Sequence, residues 1–287
     1  MGTTVAFYQN GYGDRFIDSS LFNDEVAAFL RAEEQILNTL APSMLGLIEV
    51  GCMHGRYLQW AIENRKRYFG VDVIHRYIQN GRRTIARRCL PVADYQFLLG
   101  GVEQLSTVVK DPHVHAHPRQ YLMLFPFNSF GNMDYPEEVI KSLKSVNLQF
   151  VISSYQTTEY ATSARAEYYA LCGYENLQII RDNYKVGVTS SEGLRSYAFN
   201  PTYLMRRFRE SKIPVVLVPF VDIGMACISA GLAELLTEYE AVPTLYRRPS
   251  GTPETSAAFV GKTTHSSNGL AAVGARKEQE MVVPRCT

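Results

Sequence analysis

The chain has 287 residues, 46% of them hydrophobic, and a formal net charge of +1. That length can bury a sizeable core in one large domain, and the near-neutral charge supplies no overall basic field of the kind that holds nucleic acid. No apolar run reaches the ~20 residues that span a bilayer, so neither nucleic acid nor membrane is an expected partner.

The N-terminus, MGTTVAFYQNGYGDRF, lacks the basic start and apolar core of a secretory signal. Its aromatic residues Phe7, Tyr8, Tyr12 and Phe16 are interleaved with Asn10, Gly11, Gly13 and Asp14. Asp24 to Leu40 then carries Val26, Ala27, Leu30, Ile36, Leu37 and Leu40 at helical spacing, which predicts one helix with a buried face. The cysteines, Cys52, Cys89, Cys172, Cys227 and Cys286, are odd in number and scattered, as expected of reduced thiols in a cytoplasmic protein.

The stretch Leu47 to Val73 organises the rest. An apolar run, Leu45-Gly46-Leu47-Ile48, closes on Glu49 and turns through Gly51 and Gly55 into a segment with Tyr57, Leu58, Ala61 and Ile62 on one helical face. A second run, Tyr68-Phe69-Gly70-Val71, ends on Asp72. Strand, glycine turn, helix and strand make a right-handed βαβ unit with parallel strands. Ligands of such sheets sit at the carboxyl ends of the strands. There glycine lets a ligand approach the backbone, and an ionised Asp72 offers acceptors to a ribose diol. The three-glycine dinucleotide spacing G-x-G-x-x-G is missing, and Glu49 stands where a diphosphate would be repelled.

These residues resemble the first motif of the class I S-adenosylmethionine-dependent methyltransferases, (D/E)-x-G-x-G-x-G. Glu49, Gly51 and Gly55 match, and Met53 replaces the middle glycine. The resemblance implies an α/β fold: a doubly wound, mostly parallel seven-stranded sheet, Rossmann-like, with an N-terminal helical lid. It implies S-adenosyl-L-methionine as cofactor and S-adenosyl-L-homocysteine as product. Glu49 would orient the methionine amino end, the turn Gly51-Cys52-Met53-His54-Gly55 would pass under the cofactor, and Asp72 with Val73 would hold the ribose. Cys52 reads more simply as a small turn-filling side chain than as a nucleophile. Residues 1–40 would form the lid segment, with Tyr8 and Tyr12 facing the reaction.

Farther along, His75 to Leu90 is a sparse helix whose Arg82, Arg83, Arg87 and Arg88 read as a solvated basic face. Tyr95 to Leu99 is a strand ending at Gly100-Gly101, where family members usually carry an acid; backbone groups of Gly101 and Val102 would meet the adenine, and a helix would span Val102 to Lys110. His113, His115 and His117 alternate between two prolines, which favours a loop over a metal site. Tyr121 to Phe127 is the most apolar short run and predicts a central buried strand. It ends in PFNSFG, similar to the PFNxFG of small-molecule members and unlike the (D/N)-P-P-(Y/F) of base-amine enzymes. Phe125, Phe127 and Asn128 would flank the cofactor.

A helix over Glu137 to Val146, a strand over Gln149 to Tyr155 and a helix over Thr158 to Leu171 follow. Tyr155 would reach the catalytic rim, and Arg165 is a substrate-binding candidate. Leu177 to Val188 and Gly193 to Phe199 read as strands, the first an insertion covering substrate. A helix starts at Pro201, and Ile213 to Phe220 with Met225 to Ser229 forms a closing hairpin. The methyltransferase domain would span residues 41–240, and the Ser-, Thr-, Gly- and Pro-rich residues 241–287 a flexible tail.

The leading expectation is a cytoplasmic methyltransferase acting on a small molecule, with in-line transfer of the methyl to an O, N or C nucleophile and no metal. Tyr12, His54 and Tyr155 are the catalytic candidates; Tyr8, Tyr12, Tyr155 and Arg165 are the substrate-binding ones. Methylation of protein or RNA, and a non-catalytic regulatory module that binds the cofactor, stay as alternatives. A homo-oligomer is left open.

Overall fold

The structure is a computed structural model that describes residues 3–238. The expected tail at 241–287 lies outside the described residues.

In chain order the helices are α1 (Thr3–Gln9), α2 (Asp24–Leu40), α3 (Leu58–Glu63), α4 (His75–Arg87), α5 (Leu105–Val108), α6 (Pro112–Ala116), α7 (Pro136–Val146), α8 (Glu159–Leu171), α9 (Pro201–Glu210) and α10 (Ala230–Glu238). The strands are β1 (Gly46–Val50), β2 (Arg67–Asp72), β3 (Tyr95–Leu99), β4 (Tyr121–Phe125), β5 (Gln149–Tyr155), β6 (Gln178–Arg181), β7 (Lys185–Thr189), β8 (Arg195–Phe199), β9 (Val215–Phe220) and β10 (Gly224–Ser229). Seven strands form one sheet in the order β3-β2-β1-β4-β5-β10-β9. The first five run parallel, and the hairpin β9–β10 closes the edge antiparallel to β5.

Strand side chains alternate between faces, and both faces of this sheet are covered, as a parallel sheet requires. Leu47, Leu122, Leu124 and Val151 pack with Phe29, Ile36 and Leu37 of α2 and with Leu58 and Ala61 of α3. Ile48, Val50, Phe69, Met123 and Phe125 pack with Val139, Ile140 and Leu143 of α7 and with Leu204 and Phe208 of α9. Helix α2 starts where Asn23 accepts the Val26 N–H at 3.0 Å, a side-chain cap that satisfies one of the free donors of the first turn. The apolar face of α2 is part of the core, and Phe7 of α1 and Phe16 of the 3₁₀ turn Tyr12–Ile17 pack in a further cluster with Val26 of α2 and Tyr168 and Tyr169 of α8.

Three local differences from the sequence reading have plain causes. The single strand expected over Leu177 to Val188 is two, β6 and β7, because Asp182 accepts the N–H groups of Tyr184 (2.7 Å) and Lys185 (2.8 Å) and turns the chain back. With β8 they make a separate antiparallel sheet of three strands. The helix expected from about Arg56 begins only at Leu58, since the Gly55 N–H donates to the Cys52 carbonyl (2.8 Å) in a preceding turn. The histidine stretch contains the short α6, started by Asp111 and Pro112. Among the described residues Cys52, Cys172 and Cys227 are free and buried.

Candidate functional site

The site begins where β1 ends. Gly51 has φ +76°, and a Cβ there would stand 2.9 Å from the Ser129 Cβ, so only glycine fits without moving the loop after β4. Met53, at the position of the replaced glycine, also has positive φ (50°), a conformation that glycine adopts freely and methionine rarely. The neighbouring strand holds it there. The Met53 N–H donates to Asp72 Oδ2 (2.8 Å), and the Ile74 N–H donates to Asp72 Oδ1 (2.9 Å). Asp72 thus fastens the glycine turn to the end of β2 and the start of α4. It is 7% exposed, and burial outweighs these hydrogen bonds and raises its carboxyl to about 6.

Above this cradle is a cavity of about 390 Å³. The β1 turn contributes Gly51, Cys52 and Met53; the end of β2 contributes Asp72, Val73 and Ile74; the loop after β3 contributes Gly100, Gly101, Val102 and Glu103. Pro126, Phe127 and Ser129 follow β4, and Asn132 to Tyr135, Glu138 and Val139 line the side toward α7. Asp72, Glu103, Asp134 and Glu138 face Arg56 as the one cationic side chain of this lining. Such a wall favours an occupant with positive charge.

The N-terminal segment roofs the cavity with Thr4, Val5, Tyr8 and Phe16. Thr4 Oγ1 donates to Asp134 (2.8 Å), and Asn132 Nδ2 donates to the Tyr8 hydroxyl (2.9 Å). Arg76 grips Asp14 with Nη1 at 2.6 Å and Nη2 at 2.7 Å, and the Tyr77 hydroxyl donates to the same carboxylate at 2.7 Å. Below, Arg56 donates to the Phe16 carbonyl (2.9 Å) and its guanidinium lies 4.9 Å from the centroid of the Phe127 ring. Burial pushes the Tyr8 phenol far above the usual tyrosine range, so it stays protonated.

Of the residues singled out in the sequence, Gly51, Cys52, Met53, Asp72, Val73, Gly101, Val102, Phe127 and Tyr8 come together around the cavity. The others stand behind it. Glu49 is fully buried; its Oε2 accepts the Tyr57 N–H (3.1 Å) and the Tyr68 hydroxyl (2.6 Å), while Oε1 has no partner. Burial raises the Glu49 carboxyl to about 8. Gly55 makes room for Phe97, whose Cζ would be 2.7 Å from a Cβ there. Phe125 is wholly in the core. Asn128 accepts from Ser154 Oγ (2.8 Å) and donates to Ser196 Oγ (3.0 Å), which pins the loop after β4.

The proposed catalytic residues do not converge. Tyr12 stacks on Phe7 at 5.7 Å, and its carbonyl accepts the Tyr174 hydroxyl. His54 sits edge-on to Tyr77 at 4.6 Å, and partial burial lowers its pKa. Tyr155 and Arg165 are buried beyond Phe127. None of the four lines the cavity. Sequence reasoning passed over Arg56, Ser129 and the residues leading into α7. Ser129 had a signal, since it belongs to the PFNSFG loop and ties back to the Val50 carbonyl (3.0 Å). Arg56 had none.

Glu33 of α2 completes the support. It is 1% exposed, accepts the Phe127 N–H with Oε2 (2.8 Å) and the Tyr57 hydroxyl with Oε1, and burial raises its carboxyl.

No family model matches the chain, and no curated protein matches it in sequence. Among solved structures, the 1,6-didemethyltoxoflavin-N1-methyltransferase of Burkholderia thailandensis, with 1,6-didemethyltoxoflavin and S-adenosylhomocysteine bound, superposes with a TM-score of 0.52 at 14% identity, covering 79% of this chain and 87% of that one. The chain has the class I methyltransferase fold. Similarity to the glycopeptide N-methyltransferase MtfA with S-adenosylhomocysteine is lower, at a TM-score of 0.46 and 14% identity over 72% of this chain and 91% of that one. The CcbJ methyltransferase of Streptomyces caelestis gives 0.45 and 13% over 71% and 90%. In this methyltransferase fold the cradle, Asp72 and the cavity all stand at the carboxyl ends of β1 to β4, the ligand edge of an open α/β sheet.

Proposed function

We propose that the chain is an S-adenosylmethionine-dependent methyltransferase acting on a small molecule. The observation that carries this reading is the cavity itself: a glycine turn in which a Cβ at Gly51 would collide with Ser129, joined to a buried carboxylate at the tip of the next strand. The residues fit the cofactor part by part. Asp72 has lone pairs left, beyond the two N–H groups it accepts, for ribose hydroxyls. Gly100 to Glu103 offers a backbone edge to the adenine. The excess of carboxylates around the cavity suits a sulfonium.

Bound S-adenosylmethionine supplies a methyl group already activated on sulfur. The protein's part is then to position the acceptor in line and exclude water. Phe16, Tyr8 and Val5 form an apolar roof that does the second. Tyr8 is held protonated by burial and both Asp72 oxygens are engaged by backbone N–H groups, which leaves Glu103, Asp134 and Glu138 as the lining carboxylates available to take a proton.

Calorimetric titration with S-adenosylhomocysteine, followed by methyl transfer from isotopically labelled S-adenosylmethionine to a small-molecule extract, tests the reading. Binding followed by label in a small product is expected. Failure to bind would refute it, and binding without transfer to any extract would turn it into a regulatory module.

A further inference from the structure

Beyond the wall of the cavity lies a group of donors with nothing to donate to. Arg165 of α8 is 0% exposed. Its Nη2 donates to the Val186 carbonyl at 3.0 Å, but Nε and Nη1 have no partner. The hydroxyls of Tyr155 and Tyr168 are likewise buried without a partner. The Arg165 guanidinium carbon stands 5.3 Å from the centroid of the Tyr155 ring. The ionisable groups that bear on Arg165 are Tyr169, Tyr155 and Arg181, with no carboxylate among them.

A cation this deep is costly unless paired and hydrogen-bonded. One ring face offsets part of that cost. Arg165 Nε and Nη1 can only donate and each phenol has a proton to give, so a carboxylate would serve all of them, and the planar fork of arginine fits it with two parallel hydrogen bonds.

Phe127 separates this cluster from the cofactor cavity. Its ring lines the cavity on one side and on the other stands 6.1 Å from Tyr155 and 5.8 Å from Tyr168. Phe22, from the segment before α2, closes the group at 6.4 Å from Phe127 and 5.9 Å from Tyr168. The partition is built on two consecutive residues at positive φ, Phe127 at 42° and Asn128 at 61°, a strained pair of the kind that persists where the surroundings enforce it.

We infer that Arg165, Tyr155 and Tyr168 form an acceptor subsite behind Phe127 that takes the carboxylate of an aromatic acid, with the ring of Tyr168 against its ring. This rests on the methyltransferase reading and names the substrate class for it. An acid anchored on Arg165 reaches toward the cofactor cavity through the position of Phe127, so Phe127 and the segment carrying Phe22 move aside for it to bind. Arg165 acts here as a specificity residue.

The test is calorimetry on the full chain saturated with S-adenosylhomocysteine at pH 7.5, with benzoate and the neutral benzamide as probes. Benzoate is expected to bind at least about thirtyfold more tightly than benzamide, the usual loss when one partner of a buried charge pair is removed. Arg165→Gln is expected to abolish the difference and Arg165→Lys to retain part of it, while both variants bind S-adenosylhomocysteine as the parent does. Equal binding of the two probes, or no binding of benzoate to the saturated parent, would overturn the subsite and leave a guanidinium satisfied by trapped water. Should Arg165→Gln fail to fold, the benzoate-to-benzamide ratio of the parent and of Arg165→Lys still decides. Failure to bind S-adenosylhomocysteine at all would defeat the methyltransferase reading instead, a distinct result.

Discussion

Asp72 gives the sharpest handle on the cofactor site through pH. Its carboxyl is raised to about 6 by burial. A ribose diol donates more strongly to the carboxylate than to the neutral acid, which has one oxygen occupied by its own proton, so binding favours ionised Asp72. Affinity for S-adenosylhomocysteine therefore falls as pH drops through 6. With about a tenth of the group ionised one unit below its pKa, affinity at pH 5 should be roughly tenfold lower than at pH 7.5, about 1.4 kcal/mol. Stability without ligand runs the other way. A carboxyl whose pKa is raised on folding binds more protons in the folded state, so stability declines as pH rises from the unfolded value of 3.8 to about 6 and is level above that. Calorimetric titrations at half-unit steps from pH 5 to 7.5 measure the first effect and thermal melts the second. Asp72→Asn should flatten the binding profile, since an amide cannot ionise. It should also weaken binding at pH 7.5 and forfeit one of the two N–H bonds, for a stability loss of about 2 kcal/mol. A parent profile that is flat across this window, or a variant profile that keeps the parent's slope, would refute the role given to Asp72.

Gly51→Ala forces an alanine into φ +76° and against Ser129 at 2.9 Å. It should cost about 1 to 2 kcal/mol by thermal melting, from the left-handed backbone alone, and remove S-adenosylhomocysteine binding in calorimetry. Arg76→Ala cuts the grip on Asp14, a half-exposed pair whose side chains are 35% and 41% accessible. Solvent screening limits the pair to roughly 1 kcal/mol or less. Melting should hardly change, while hydrogen exchange in residues 3–17 and the rate of S-adenosylhomocysteine release should rise by a few-fold; unchanged exchange there would sever the roof from the latch.

The βαβ unit was legible because its signals are local. A strand that alternates Leu47 and Ile48 between two covered faces, a glycine turn and an acid at the next strand tip follow from backbone sterics and periodicity alone. The parallel order of β1, β2 and β4 and the closing hairpin β9–β10 are as expected from the resemblance. The β6–β7 turn was missed because one aspartate side chain sets it, within an otherwise continuous strand-like run. Site residues were harder wherever placement depends on distant segments. Tyr12, His54, Tyr155 and Arg165 have suitable chemistry, yet which way each faces is decided by Phe7, Tyr77, Phe127 and Val186 respectively. Arg56 enters the lining because its partner carbonyl belongs to Phe16, forty positions away, and no window of sequence shows that.

Glu33 has a bearing on where this protein can be cut. One side chain from α2 grips both the backbone behind Phe127 and the hydroxyl of Tyr57, so the floor of the pocket hangs from a helix that precedes the whole sheet in the chain. Trimming back to Asn23 would remove the roof and spare this anchor. Trimming to Pro42 would pull out a keystone, leaving the Phe127 amide and the Tyr57 phenol stranded in an apolar interior.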